Sequence, residues 1–554
     1  MTTSERGPAP MTTSVTSRRE GSEATTASSS GQAPRARLRA SAPMLTFLGR
    51  RILSSAIVLL GATFIVYMLL AYSLDPLEDL YQSTAPNKEQ LIEARVRLLD
   101  LDTPPPVRWL KWLGGAAGCV IGQCDLGSSW VTGQQVTSLL GSAIPSTVQL
   151  VSMSTVVAIL LGITVGIVSA LRQYTGFDYG VTFMSFVLYS LPSFWVAVLL
   201  KLWGAIGFND FLADPSLSPL TIVALAVVAG AIWQAILAGP WRRRLLVFGV
   251  GAVATAALLA FVSATGWLLN PQLGPVVIAL LGVGTAFALT AIFAGLRNRK
   301  ALYTALTTVA VGVALWYPLQ FLFQRATGLM IIVLAVATVG IGALIGWLFG
   351  GADRSVSMRI GAITALVVGL LIFIDRIMQV WYAYSNASKI NNRPIATIGS
   401  QTPGLNGDYW VETLDTFTHL VLPTVALILI SFASYTRYSR ASLLEVMNQD
   451  YIRTARAKGL PERVVTVRHA FRNALIPLAT IVPLDIATLF GGAIITERIF
   501  AWSGMGTLFI TSLGRADAAP VMGYFLVIGT LLVVANIVVD FLYAALDPRI
   551  RVNA

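Results

Sequence analysis

The sequence predicts an all-α, polytopic membrane protein of about twelve transmembrane helices. Three observations carry this expectation. Apolar residues make up 55% of the 554 and charged ones only 12%, about half the roughly 25% of an average soluble domain. The apolar residues gather into runs of about 20, the length at which a helix crosses a hydrocarbon core of roughly 30 Å. Lys and Arg cluster in alternate connections between those runs, as membrane insertion demands.

Residues 1–43 are rich in Ser, Thr, Ala, Gly, Pro and Arg. They cannot bury enough apolar surface to fold alone, so a disordered cytoplasmic tail is expected. No apolar stretch begins before about Ile52, too late for a secretory signal peptide, and Met44 is a candidate start. The twelve runs fall at 52–72, 147–171, 180–204, 218–237, 245–268, 274–296, 301–323, 329–350, 360–383, 419–436, 474–495 and 521–546. With a cytoplasmic N-terminus, Arg242, Arg243, Arg244, Arg297, Arg299 and Lys300 fall in cytoplasmic connections. An even number of spans also returns Arg549 and Arg551 to the cytoplasm, so both termini are expected there. The formal charge of +12 is then a positive-inside asymmetry and no sign of nucleic acid binding.

Two hydrophilic stretches are too long for turns. The one at about 73–145, expected outside, holds a helical segment at 88–101, a Pro run and Trp109, Trp112 and Trp130. Its Cys119 and Cys124 leave a disulfide and two free thiols as alternatives; an external bridge is chemically permitted. The other, at about 437–473, carries eight basic residues and is broken at Gly459-Leu460-Pro461. In it, Asp450, Tyr451, Arg453, Thr454, Ala455, Arg456, Ala457, Lys458 and Gly459 form a short helix whose small residues admit a close partner and whose Gly ends it. A second helix passes through His469, Arg472 and Asn473 to Pro477.

This segment resembles the coupling loop of permease subunits of ABC importers, in the dipeptide and oligopeptide (peptide/nickel) group and its first, "B"-type permease. Arg453 stands where the wider superfamily has Glu. The resemblance continues at 44–51, 98–112, Asp125-Leu126-Gly127, Ser190-Leu191-Pro192-Ser193-Phe194, Leu420 to Pro423, Gly491-Gly492 with Glu497 and Phe500, and the ending at 540–549. Ser503-Gly504 and Cys124 depart from the family's Pro-Gly and Gly. The resemblance implies a type I ABC importer permease fold with six core spans, in segments 44–204 and 413–554, and six inserted spans at 205–412. It implies a second homologous permease, two ATPase subunits carrying ATP and Mg, an external substrate-binding lipoprotein and a bacterial cytoplasmic membrane. The chain itself is expected to bind no cofactor and no metal and to catalyse nothing. Peptides are the expected cargo, with nickel or another small solute as the alternative.

Thr338, Gly342, Gly346 and Gly350 form a small-residue stripe, expected to pack on the core spans. Asp485 in span eleven is costly in hydrocarbon. It either faces the translocation path, with Pro192 of span three, or is capped by a Ser, Thr or Arg of a neighbouring helix. Asp375 and Arg376, near a membrane end, are expected to be structural. No G-x-x-x-x-G-K-[ST] occurs, so energy must come from another subunit. Neither G-x-S-x-G nor H-E-x-x-H occurs. An ion-driven secondary transporter would show inverted halves, and a lipid-acting enzyme would need converging acids or His; neither pattern is present.

Overall fold

The computed structural model describes residues 42–237 and 239–546. The expected tail, all but its last two residues, and the ending Asp547-Pro548-Arg549 lie outside the described residues. Among those described, twelve helices are long and apolar enough to cross a membrane. The only extended pairing among the described residues is one bridge between Ser128 and Gln135.

The chain begins with α1 (Ala42–Ser73), then crosses one end of the bundle through α2 (Lys88–Leu98) and α3 (Pro105–Gly118). Pro104 ahead of α3 and Pro105 at its first position favour a helix start there. Next comes α4 (Val136–Leu171), whose 36 residues extend about 54 Å at 1.5 Å per residue, well beyond the hydrocarbon. It starts eleven residues before the expected span because Val136, Leu140 and Ala143, three or four residues apart on one face, seat the added turns in an apolar cluster.

Span three departs from expectation. It is two helices, α5 (Gly176–Ser190) and α6 (Ser193–Leu199), separated by extended backbone at Leu191 and Pro192. Pro192 disfavours helical backbone at Leu191 and lacks the amide to continue the ladder. The helix then runs on through a π-helical segment, Leu200–Gly207, into α7 (Phe208–Ala213), nine residues beyond the expected end.

Six helices follow: α8 (Pro219–Leu237), α9 (Trp241–Thr265), α10 (Gly274–Phe293), α11 (Arg299–Phe323), α12 (Gly328–Phe349) and α13 (Arg354–Ser385). The small-residue stripe of α12 packs on α13 rather than on the core. A Cβ at Gly342 would lie 2.4 Å from the Gly361 carbonyl oxygen, and Gly346 meets Ser357 and Met358 as closely. The stripe is satisfied by the helix that follows it in sequence. Asp375 is fully buried and accepts from the amides of Leu273 (2.7 Å) and Gly274 (3.0 Å), from Trp316 Nε1 (2.8 Å) and from Gln379 Nε2 (2.9 Å). It therefore pins α10, α11 and α13 together, the structural role expected.

The remaining elements are α14 (Tyr409–Met447), α15 (Asp450–Ala457), α16 (Arg472–Gly492), α17 (Ile494–Ile499), α18 (Met505–Gly514) and α19 (Ala518–Leu546). The core is centred on α4 against α14. At Gly166 a Cβ would lie 2.6 Å from the Thr436 carbonyl oxygen and 2.8 Å from Ser439 Cβ, so only Gly allows this approach. Arg51 near the start of α1 pairs with Asp540 near the end of α19 at 2.6 Å. The middle helices join the core through Trp410, whose Nε1 donates to the Phe323 carbonyl at 2.6 Å, and through Asp415, which accepts from Tyr384 and Thr402.

Candidate coupling site

The site is built on α15 at the end of the bundle where α4 and α14 finish and α16 begins. Ile452 and Ala455, three residues apart on one helix face, are buried in an apolar cluster with Ala170, Leu443, Val465, Ala470 and Ala474. Burying Ile452 completely contributes about 2 kcal/mol to seating the helix. Asp450, Tyr451, Arg453, Thr454, Arg456, Ala457, Lys458 and Gly459 are exposed. Ala455 is thus a seat of the helix on its own protein, and the face left open to a partner is polar and basic.

Local chemistry fixes the turn. Gly459 ends the helix with φ +73°, the left-handed conformation Gly adopts without cost, and Pro461 starts the next turn. Arg456 reaches across the turn to Glu462 at 2.8 Å, and that hydrogen bond holds the Glu462 carboxyl below its ordinary pKa. Asn473 Nδ2 donates to the Tyr451 hydroxyl at 2.9 Å, bringing together two expected site residues from opposite ends of the loop. His469 is half-buried in a π-helical segment, Val465–Phe471, that leads into α16, and Arg472 is exposed at its start. Pro477 sits inside α16, where its missing amide loosens the helix.

Beneath α15 lies an ion pair that sequence reasoning missed. Asp178 of α5 is buried and takes both nitrogens of Arg440 of α14, Nε at 2.8 Å and Nη2 at 3.0 Å, and also accepts from Ser169 of α4. One turn before it, Arg437 lies 3.8 Å from the Tyr189 ring centroid, directly before the Leu191–Pro192 break. A charged residue in the last turns of a span was the available signal; its partner, 262 residues away, was not.

Asp485 is half-buried in α16 and accepts from the Tyr435 hydroxyl of α14 at 2.5 Å. Its partner is a Tyr, where the capping alternative named Ser, Thr or Arg. Pro192 stands at the break of span three. Glu497 is buried at the head of α18 and accepts from Thr147 Oγ1 at 2.7 Å and from the amides of Gly506 and Thr507. A Cβ at Gly504 would lie 2.3 Å from this carboxylate, which is why the turn keeps its Gly although the preceding residue is Ser503. Cys119 and Cys124 form a disulfide. Among the described residues no group of three His, Cys, Asp or Glu could hold a metal.

The sequence matches two family profiles. That of the binding-protein-dependent transport system inner membrane component covers residues 162–552, and that of the N-terminal part of such membrane components covers 44–151. The oligopeptide transport system permease protein AppB of Bacillus subtilis is 25% identical over 512 residues, 92% of this chain and all of AppB. The dipeptide transport system permease protein DppB of Escherichia coli K12 is 45% identical over 138 residues, 25% of this chain and 41% of DppB. The oligopeptide transport system permease protein OppB of Mycobacterium tuberculosis H37Rv is 41% identical over 155 residues, 28% of this chain and 48% of OppB. The chain thus spans less than half the length of these last two relatives. It is a multi-pass membrane protein and belongs to the family of binding-protein-dependent transport system inner membrane components.

Proposed function

We propose that this chain is the non-catalytic, membrane-spanning permease subunit of an ATP-driven importer, and that its cargo is di- and oligopeptides delivered by an external binding protein. The observation that carries this reading is α15. Its apolar face is locked onto the ends of α4, α14 and α16, while its polar face is exposed for a docking ATPase. The names of AppB, DppB and OppB support peptides as the cargo.

In this mechanism a second homologous permease completes the pathway, and two ATPase subunits hold ATP and Mg. Their closure pushes on α15, and the Asp178–Arg440 pair passes the displacement to α5 and the broken third span. Alternating access is then a two-state switch biased by nucleotide. The orientation follows from charge. Arg242, Arg243 and Arg244, then Arg297, Arg299 and Lys300, fall in connections that alternating spans return to the α15 side, which supports placing that side and both termini in the cytoplasm of a bacterial cell membrane. Residues 205–412 are read as six spans added to a six-span core. Co-purification tests the proposal: an ATPase pair and a second permease should come with the chain, and peptide uptake should stop on ATP depletion. Uptake insensitive to ATP, with no ATPase bound, would overturn it.

A further inference from the structure

Arg437 of α14 carries a charge that no acid neutralises among the described residues. Its guanidinium carbon lies 3.8 Å from the centroid of the Tyr189 ring and 5.8 Å from that of Phe186. The acids of the adjoining helices are engaged elsewhere. Asp178 takes both nitrogens of Arg440, the Ser169 hydroxyl and the Tyr174 amide. Asp485 takes the Tyr435 hydroxyl, and Tyr435, two residues from Arg437, lies on another face of α14. Span ten was expected to end at 436, and a long Arg just beyond such a point ordinarily snorkels to the headgroups. Helix side chains lean toward the N-terminus, and Arg437 follows that lean into the bundle to reach Tyr189. Tyr189 stands nine residues inside the expected start of span three at 180, about 14 Å of helix rise and close to the middle of a hydrocarbon core of roughly 30 Å. Aromatic faces alone stabilise a cation less than hydrocarbon at that depth penalises it.

The wall beside Arg437 is open. Tyr179, Phe183, Phe186 and Ser190 follow one another at four, three and four residues, which is one face of α5, and all four are exposed. Directly beyond them span three breaks at Leu191 and Pro192, and Pro192 is exposed as well. Backbone that leaves the helix at membrane depth persists where protein buries it or water reaches it, and this chain does not bury Pro192. An uncompensated cation and an open break at the same height of the same span both call for water on this side of α5.

We propose that this wall of α5 faces the water-filled translocation path and that Arg437 receives the carboxylate of a passing peptide there, while Tyr179, Phe183 and Phe186 meet its apolar side chains. This rests on the proposed import of peptides, but its test is read without ATP or uptake, so its failure would leave that reading to the co-purification experiment. Ser190→Cys and Phe183→Cys place thiols one turn on either side of Phe186. Cys119 and Cys124 are bonded to each other, so the introduced thiol is the one that reports, by the mass of this chain, in the whole transporter held in nanodiscs. An anionic methanethiosulfonate, compared with a cationic one, should be favoured at least fivefold over its behaviour with a small free thiol. Arg437→Gln should bring that preference to within twofold of the free thiol, and Arg437→Lys should keep most of it. Reaction with neither reagent would overturn the path, and no preference, or one unchanged by Arg437→Gln, would overturn the role of Arg437. A second measurement needs no change at Arg437. Millimolar trialanine should slow labelling of Ser190→Cys at least twofold and trialanine amide should not; equal slowing by both, or none, would overturn the carboxylate assignment.

Discussion

In the core, α4 and α14 meet over Gly162 and Gly166, and their contact runs into the buried Asp178–Arg440 pair. In the middle region, α12 and α13 meet as closely over Gly342 and Gly361, yet no ion pair joins those two helices among the described residues. Close approach through Gly is common to both regions, because in lipid packing replaces the hydrophobic drive between helices. They differ in their polar contacts. The core links chain-distant segments through Asp178 with Arg440, Asp485 with Tyr435 and Glu497 with Thr147, and it breaks span three at Leu191–Pro192. The middle region holds its own helices through Asp375. In the proposed mechanism the break in the core is where span three bends and Asp178–Arg440 carries the bend, whereas the middle region, held by Asp375, serves as a scaffold.

That contrast can be broken, starting with the largest effect. Ile452→Asp puts a carboxylate where an isoleucine is fully buried, so α15 should lose its seat. ATPase co-purification should fall at least tenfold while the chain still inserts in the membrane, checked by pull-down and membrane fractionation. Gly342→Leu forces α12 from α13, and overpacking of this kind costs about 1–3 kcal/mol. The melting temperature in detergent should drop by several degrees, but uptake by the surviving fraction should stay within about twofold of the parent. A loss of uptake as large as that of Ile452→Asp would make the middle region part of the moving machinery.

The smallest effect is on pH. The Glu462 carboxyl titrates below its ordinary value because Arg456 binds its charged form. Its contribution to the Gly459 turn is therefore present above the ordinary carboxylate pKa of about 4.3 and lost as pH falls through the lowered folded value. Hydrogen exchange of the 455–465 amides, corrected for intrinsic rate, should show the turn opening over that interval, and Glu462→Gln should remove the dependence.

Local features of this molecule are written plainly in its sequence. Runs of apolar residues place the spans because each helix must satisfy its backbone within itself in lipid, and Gly459-Leu460-Pro461 announces its turn. Span three was read straight through Pro192, although a proline there is the local cause of the break; the π-helical run to Gly207 and the further turn to Ala213 had no comparable mark. Partnerships across the chain were not legible. Asp485 reads as an expensive acid, but nothing near it names Tyr435, and nothing beside Asp178 names Arg440. The stripe on α12 identifies a helix contact without identifying the helix.

The Asp178–Arg440 link is where the proposed coupling is most exposed to test. In proteoliposomes holding the whole transporter, peptide uptake per ATP hydrolysed should be measured for the parent and for Asp178→Asn. The account predicts that the ATPases stay bound and keep hydrolysing while uptake per ATP falls at least tenfold. Uptake per ATP equal to that of the parent would contradict it.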